Sequence, residues 1–258
     1  FELPKGVKMR LALEGAGIFG QTNRALTYQE REDLDVSSGA LVGLASFSFF
    51  EDKLQSHGKL ALASGDANPD DDRNTQFTFD RNFSLGSVLF DQLLGSVALG
   101  SHRLITDPEI SGQPPRGIDA IVNEGAAGGI FALQKVIEGN PLPWLNLKAG
   151  VLFALATADH RQPFYSTRGG GTPFNHHNEP VTSPVLGREL NWAVELGAPI
   201  ALPKKDCKDA KCKLVGEPAL HPTFLIQGGH LFVGEALRAV ADEQELIHHV
   251  QMTGRLRW

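Results

Sequence analysis

The sequence predicts an all-β fold, an antiparallel transmembrane β-barrel with about eight strands visible in one domain spanning residues 1–258. Three observations predict it. Apolar and polar residues alternate with a period of two in segment after segment, which gives each segment one apolar and one polar face. These segments run to roughly 10–14 residues, long for a soluble sandwich but matched to the ~9–11 tilted residues that cross a hydrocarbon core. The connections also alternate between short and long, as in a barrel with tight turns on one side of a membrane and long loops on the other.

The first strand is "KMRLALEGAGIF", with Met9, Leu11, Leu13 and Phe19 opposite Lys8, Arg10, Ala12 and Glu14. "SSGALVGLASFSFF" at 37–50 follows, with Leu41, Phe47 and Phe49 on the outer face. Its partner "KLQSHGKLALAS" sets Leu54, Leu60 and Leu62 against Lys53, Gln55, His57 and Lys59, with Glu51 and Asp52 as the turn between them. "NEGAAGGIFALQKV" and "WLNLKAGVLFALA" make a second hairpin around "EGNPLP", and the latter strand sets Leu145, Leu147, Val151, Phe153 and Leu155 against Asn146 and Lys148. "GRELNWAVELGAPIAL" alternates most cleanly: Leu190, Trp192, Val194, Leu196 and Ile200 face away from Glu189, Asn191 and Glu195. "HPTFLIQGGHLFV" offers Phe224, Ile226 and Phe232 against His221, Thr223 and Gln227. The last strand, "HHVQMTGRLRW", places Val250, Met252, Leu256 and Trp258 opposite His249, Gln251, Thr253, Arg255 and Arg257. Short connections fall at 51–52 and 138–143, with a moderate one at 203–217; long polar ones fall at about 22–36, 67–120, 158–187 and 234–246.

Composition removes several function classes. Hydrophobic residues are 41% and charged residues 21%, so the chain is not compositionally disordered, and no 18-residue apolar run supplies a transmembrane helix. Asp+Glu 30 against Lys+Arg 24, a formal charge of −6, argues against a nucleic-acid partner, which needs a basic face. The chain opens on Phe1 without an initiating Met or signal peptide, so a processed mature chain or a piece of a longer one is expected.

On these strands and loops the chain resembles a bacterial outer-membrane β-barrel of the porin-like kind. Its terminal strand, with Val250, Met252, Leu256 and Trp258, is similar to the C-terminal aromatic signal read by the barrel-assembly machinery, Trp258 standing where Phe is commoner. A second likeness covers roughly thirty residues: "ASGDANPDDDRNTQFTFDRNFSLGSVLFDQLL" resembles the long acidic loop and following segment of alginate-export-type channels. The first resemblance implies location in the outer membrane, contact with its lipid and passage of a hydrophilic solute. The second implies an anionic saccharide.

Eight closed strands leave an interior that side chains nearly fill, whereas diffusion pores use about 16–18 strands. The inward faces nevertheless carry Lys8, Arg10, Glu14, His57, Lys59, Lys148, Glu189, Asn191, Glu195, Gln227, Gln251 and Arg255, diluted with small residues, as on the wall of a wet lumen. The chain is therefore expected to be the C-terminal part of a larger barrel, or to be completed by strands outside the sequence. Arg10, Lys59, Lys148 and Arg255 would attract anions while Glu14, Glu189 and Glu195 favour cations, so ion selectivity should be weak. The 67–120 connection is too long for an idle loop. Its "FSLGSVLFDQLLGSVALG" stretch either folds inward as a constriction or adds a hairpin.

Other candidates are minor. Asp66, Asn68, Asp70 and Asp72 offer oxygen ligands to Ca²⁺, but Asp71 stands where the EF-hand pattern needs Gly and Phe77 where it needs Glu, which leaves a solvated acidic loop as the stronger reading. Cys207 and Cys212 lie on a turn placed in the periplasm, where a local disulfide is the natural pairing; the flanking lysines repel a metal and read by default as a solvated charge run, with anionic headgroups or a periplasmic partner as the alternative. The adjacent pairs His176–His177 and His248–His249 point apart on extended chain, so neither is expected to chelate one ion by itself. No G-x-S-x-G or H-E-x-x-H motif is present, and neither an enzyme nor a cofactor is predicted.

Overall fold

The computed structural model describes residues 2–3, 7–23, 33–68, 71–80, 82–111, 127–169, 172–197, 200–201, 218–239 and 246–257. Eight long strands form an antiparallel meander: β1 (Val7–Thr22), β2 (Leu34–Phe49), β3 (Leu54–Ala63), β4 (Ile130–Leu142), β5 (Leu145–Ala156), β6 (Val185–Gly197), β7 (Pro218–Val233) and β8 (Leu246–Arg257). Each pairs with its sequence neighbour, and the short strand Glu2–Leu3 adds a ninth to the path by pairing with β1. Arg73–Asn74 and Ile200–Ala201 pair off this path, with β2 and β7.

The sheet is all-β and antiparallel as the alternation predicts, but it is not closed into a barrel. Among the described residues β8 pairs only with β7, and the far edge is Glu2–Leu3 beside β1. Closing eight strands would leave an interior barely wide enough for side chains. Here one face of the sheet also carries a helical segment, for which such an interior has no room.

Strand ends differ from the expected ones for local reasons. β4 runs through Glu138–Leu142, which the sequence reads as turn, because a register shift between Gly139 and Leu142 absorbs "GNPL" and leaves Pro143–Trp144 as the connection. At the other tight turn Phe50, Glu51 and Asp52 all have positive φ, of 54°, 55° and 69°. Asp52 steadies it: the Ser48 hydroxyl and the Lys8 ammonium both donate to its carboxylate, the latter at 2.9 Å. These two bonds, Ser48 first, hold Asp52 below the usual carboxylate range.

The register fixes the two faces. One presents Met9, Leu11, Leu13, Leu41, Leu60, Leu62, Leu133, Val151, Trp192, Val194, Ile226, Val250 and Met252 on neighbouring strands. Many of these stand exposed, Leu13 at 74% and Met252 at 67%. Among the described residues nothing covers this surface, and exposed apolar surface of this extent is the kind that protein or lipid covers. Asp35, Lys135 and Arg188 are its charged interruptions among the described strands: Asp35 accepts Gln21 Nε2 at 3.2 Å near the loop end, Lys135 donates to Ser56 Oγ at 2.5 Å, and Arg188 lies over the Phe153 ring.

The opposite face is covered at the ends nearest the long loops. There Ala61, Ala63, Ile130, Ala132, Leu152, Ala154, Leu231 and Val233 are buried under Leu85, Val88, Leu89 and Phe90 of the long connection. That connection forms a π-helical turn, Leu89–Leu94, running into α1 (Gly95–Thr106) and α2 (Pro108–Ser111). Of the two readings of this stretch, its described residues add no hairpin to the sheet; they pack as helix against this face. Phe77, Phe79, Phe83 and Phe90 brace it as a ladder of rings with successive centroids 5.7, 4.2 and 6.3 Å apart.

Candidate functional site

The inserted segment has no cap of its own. Val88 stands at the cap position and makes no side-chain hydrogen bond there, so the first N–H groups of the helical turn need an acceptor from elsewhere. Glu189 on β6 supplies it. Its Oε1 accepts the N–H of Ser87 at 2.6 Å and of Val88 at 3.0 Å, and its Oε2 that of Leu89 at 2.8 Å. A carboxylate at a helix start also meets the positive end of the helix dipole. Beside it, the Ser87 hydroxyl donates to Asn191 Oδ1 at 2.7 Å.

Two glycines make room for this clasp. Gly86 has φ +85°, and a Cβ there would sit 2.8 Å from Glu189 Oε1 and 2.9 Å from Oε2. A Cβ on Gly229 of β7 would meet Ser87 Oγ at 2.6 Å and Val88 Cγ2 at 2.8 Å. Both positions demand the absence of a side chain.

Beneath the clasp lies an open cleft of about 310 Å³, lined by Lys59, Gln134, Lys148, Asn191 and Gln227 from the sheet and by Ser84, Ser87 and Asp91 from the segment. Lysines stand on the wall and an aspartate on the segment facing them. Toward the short-turn end a polar cluster continues the cleft. Glu138 accepts Asn146 Nδ2 at 2.6 Å, pairs with Lys148 at 3.3 Å and lies 3.8 Å from His57 Nε2, while His57 Nδ1 meets Ser46 Oγ at 3.0 Å. Gln227 donates to Gln251 Oε1 at 2.9 Å.

All twelve residues expected on the inward face share one face of the sheet: Lys8, Arg10 and Glu14 on β1, His57 and Lys59 on β3, Lys148 on β5, Glu189, Asn191 and Glu195 on β6, Gln227 on β7, and Gln251 and Arg255 on β8. The cleft gathers Lys59, Lys148, Asn191 and Gln227 of these. Lys8 is drawn to the Asp52 turn, and Glu189 is 1% exposed, spent on the segment rather than offered to a solute. Sequence reasoning missed Glu138, Gln134, Ser87 and Asp91. Adjacent Gln134 and Lys135 break the alternation, so period alone does not say which of them faces inward.

Asp66 does not stand open to a cation: its two oxygens accept the N–H groups of Asn68 and Thr75 at 3.0 and 3.1 Å. Asp72 accepts the Asp35 N–H through its carbonyl, and Asp70 lies outside the described residues. Cys207, Cys212 and Trp258 also lie outside them, while Val250, Met252 and Leu256 point to the apolar face. In the 157–184 loop His160 Nε2 and His176 Nδ1 are buried without a partner among the described residues. Burial pushes His160 down to about 4, helped by His176 and Arg161, and burial with His177 brings His176 to about 4.

No protein-family model matches the chain, and no curated protein matches it either.

Proposed function

We propose that the chain is part of the wall of a porin-like barrel in a bacterial outer membrane, passing or guiding hydrophilic solutes through a constriction built by residues 85–106. The observation that carries this reading is the division of the sheet into two faces. Exposed apolar side chains occupy one face across the meander, and the other holds charged and amide side chains around an inserted segment. In lipid the first face needs no further covering, and the backbone groups within the strands are paired, as a spanning sheet requires. Among the described residues the sheet has two unpaired edges, which further strands would complete, and a wall wider than eight strands leaves passage beside the segment.

Selection would be electrostatic. Lys59 and Lys148 face Asp91 across the cleft, with Gln134, Asn191 and Gln227 offering hydrogen bonds to hydroxyl-rich solutes. That lining, together with the acidic loop and the segment after it, favours an anionic saccharide. Because Glu189 is committed to the segment, it adds nothing to cation preference.

A second reading, a barrel that conducts nothing and serves a structural or partner-binding role, is favoured by the tightness of the clasp: Leu85, Val88 and Leu89 are buried to 2% exposure or less. Planar-bilayer recording of the detergent-purified natural protein separates the two. Stable open steps, reduced by added uronate oligomers, support the channel. Silence across preparations that insert into lipid supports the filled barrel.

A further inference from the structure

The apolar face of the sheet is interrupted at one cross-strand position by two imidazoles. His230 on β7 and His248 on β8 are register partners. Their rings stand edge to face at 79° with centroids 4.8 Å apart, and the two Nδ1 atoms approach to 2.6 Å. Around them are Leu190 on β6, the Phe232–Leu246 rung on one side and Val250 on the other, all exposed apolar side chains. The neighbouring His249 is opposite Gly229 and belongs to the other face.

Two imidazole nitrogens this close cannot both direct lone pairs at each other. Either one proton lies between them or a cation does. We infer that His230 and His248 form a two-histidine site for a divalent transition metal of the zinc class. Imidazole nitrogen suits zinc, nickel and copper and not the oxygen-seeking magnesium or calcium. With Zn–N bonds of about 2.0–2.1 Å and tetrahedral angles, the two nitrogens should stand about 3.3 Å apart. Both side chains are accessible, so small torsional changes open the gap from 2.6 Å to that span. The nearest cation on this face, Arg188, turns away from the pair to lie over Phe153 on β5. The pair lies at the long-loop end of the sheet, His248 third in β8 and His230 three residues before the end of β7, where water or a donor from outside completes the coordination. The metal clips the edge strand β8 to the body of the sheet. This inference stands on the pair itself and not on the channel reading.

Zinc titration of the chelator-treated, detergent-purified full chain by calorimetry tests it. The wild type should give a one-site isotherm that is lost in both His230→Ala and His248→Ala and kept in His249→Ala and His176→Ala. Copper bound to the wild type should show two nitrogen ligands by electron paramagnetic resonance. Far-UV circular dichroism matching the wild type confirms that each variant is folded. Absence of binding by the wild type at millimolar zinc overturns the proposal, as does an isotherm that survives in both alanine variants; the pair is then a proton-sharing hydrogen bond only.

Discussion

The carboxylate of Glu189 accepts the backbone N–H of Leu89 at 2.8 Å, across 100 residues of chain. With the bonds to Ser87 and Val88 it fixes a helical segment to the wall of the sheet at the point where the segment has no cap. Removing the acceptor by Glu189→Ala leaves two buried donors and the half-buried Ser87 N–H unpaired and should cost roughly 3 kcal/mol of docking. Glu189→Gln, which keeps one acceptor oxygen, should fall between. Hydrogen exchange of residues 85–94 reads this directly, and unchanged protection in the alanine variant would show that apolar burial alone holds the segment.

The same contact explains two glycines. Gly229→Ala should press its methyl into Ser87 Oγ and Val88 Cγ2, and Gly86→Ala should add a clash with Glu189 to an unfavourable positive φ. Overpacking of this kind typically costs about 1–3 kcal/mol. Chemical denaturation in detergent should show both losses, while Gly254→Ala, with open space around its Cβ position, should show none.

Leu60 and Lys59 test the faces against each other. Leu60 lies mid-strand between Gly43 and Leu133 on the apolar face, and Lys59 already carries charge on the other. Leu60→Arg should cost about 2–4 kcal/mol in a bilayer near its midplane. Lys59→Glu should leave folding intact and shift ion preference toward cations. Equal destabilisation by the two would contradict the assignment of faces.

The 157–184 loop should be acid-labile. His160 and His176 are held neutral in the fold, near 4, against an ordinary value of 6.5. The unfolded loop therefore takes up protons that the folded loop refuses. Their stabilising contribution is complete above about pH 6.5 and is lost progressively as pH falls toward 4. Hydrogen exchange of this loop between pH 7 and 4.5, corrected for intrinsic rates, should show the loosening; His160→Phe should reduce it and leave the share of His176.

The eight strands and their faces were legible because a side-chain period of two survives any register. Glu138–Leu142 was misread as turn because Gly-Asn-Pro carries a turn signature, whereas the strand admits it through a bulge. The segment after Ser84 was apolar without a period, so its sequence left constriction and hairpin equal. What Glu189 does was invisible for another reason: its partners lie 100 or more residues away and are backbone groups. The cross-strand meeting of His230 and His248 likewise depends on register, which an adjacent His248–His249 pair conceals.

The most direct test of the central claim is environment mapping along β3 in proteoliposomes. A fluorescent label is placed by single cysteines at each residue from 54 to 60, with Cys207 and Cys212 replaced by serine. The account predicts quenching by lipid-borne nitroxide at 54, 56, 58 and 60 and by aqueous quencher at 55, 57 and 59. Aqueous quenching at every position, or no alternation at all, would mean that the apolar face does not meet lipid and that the chain is not a membrane wall.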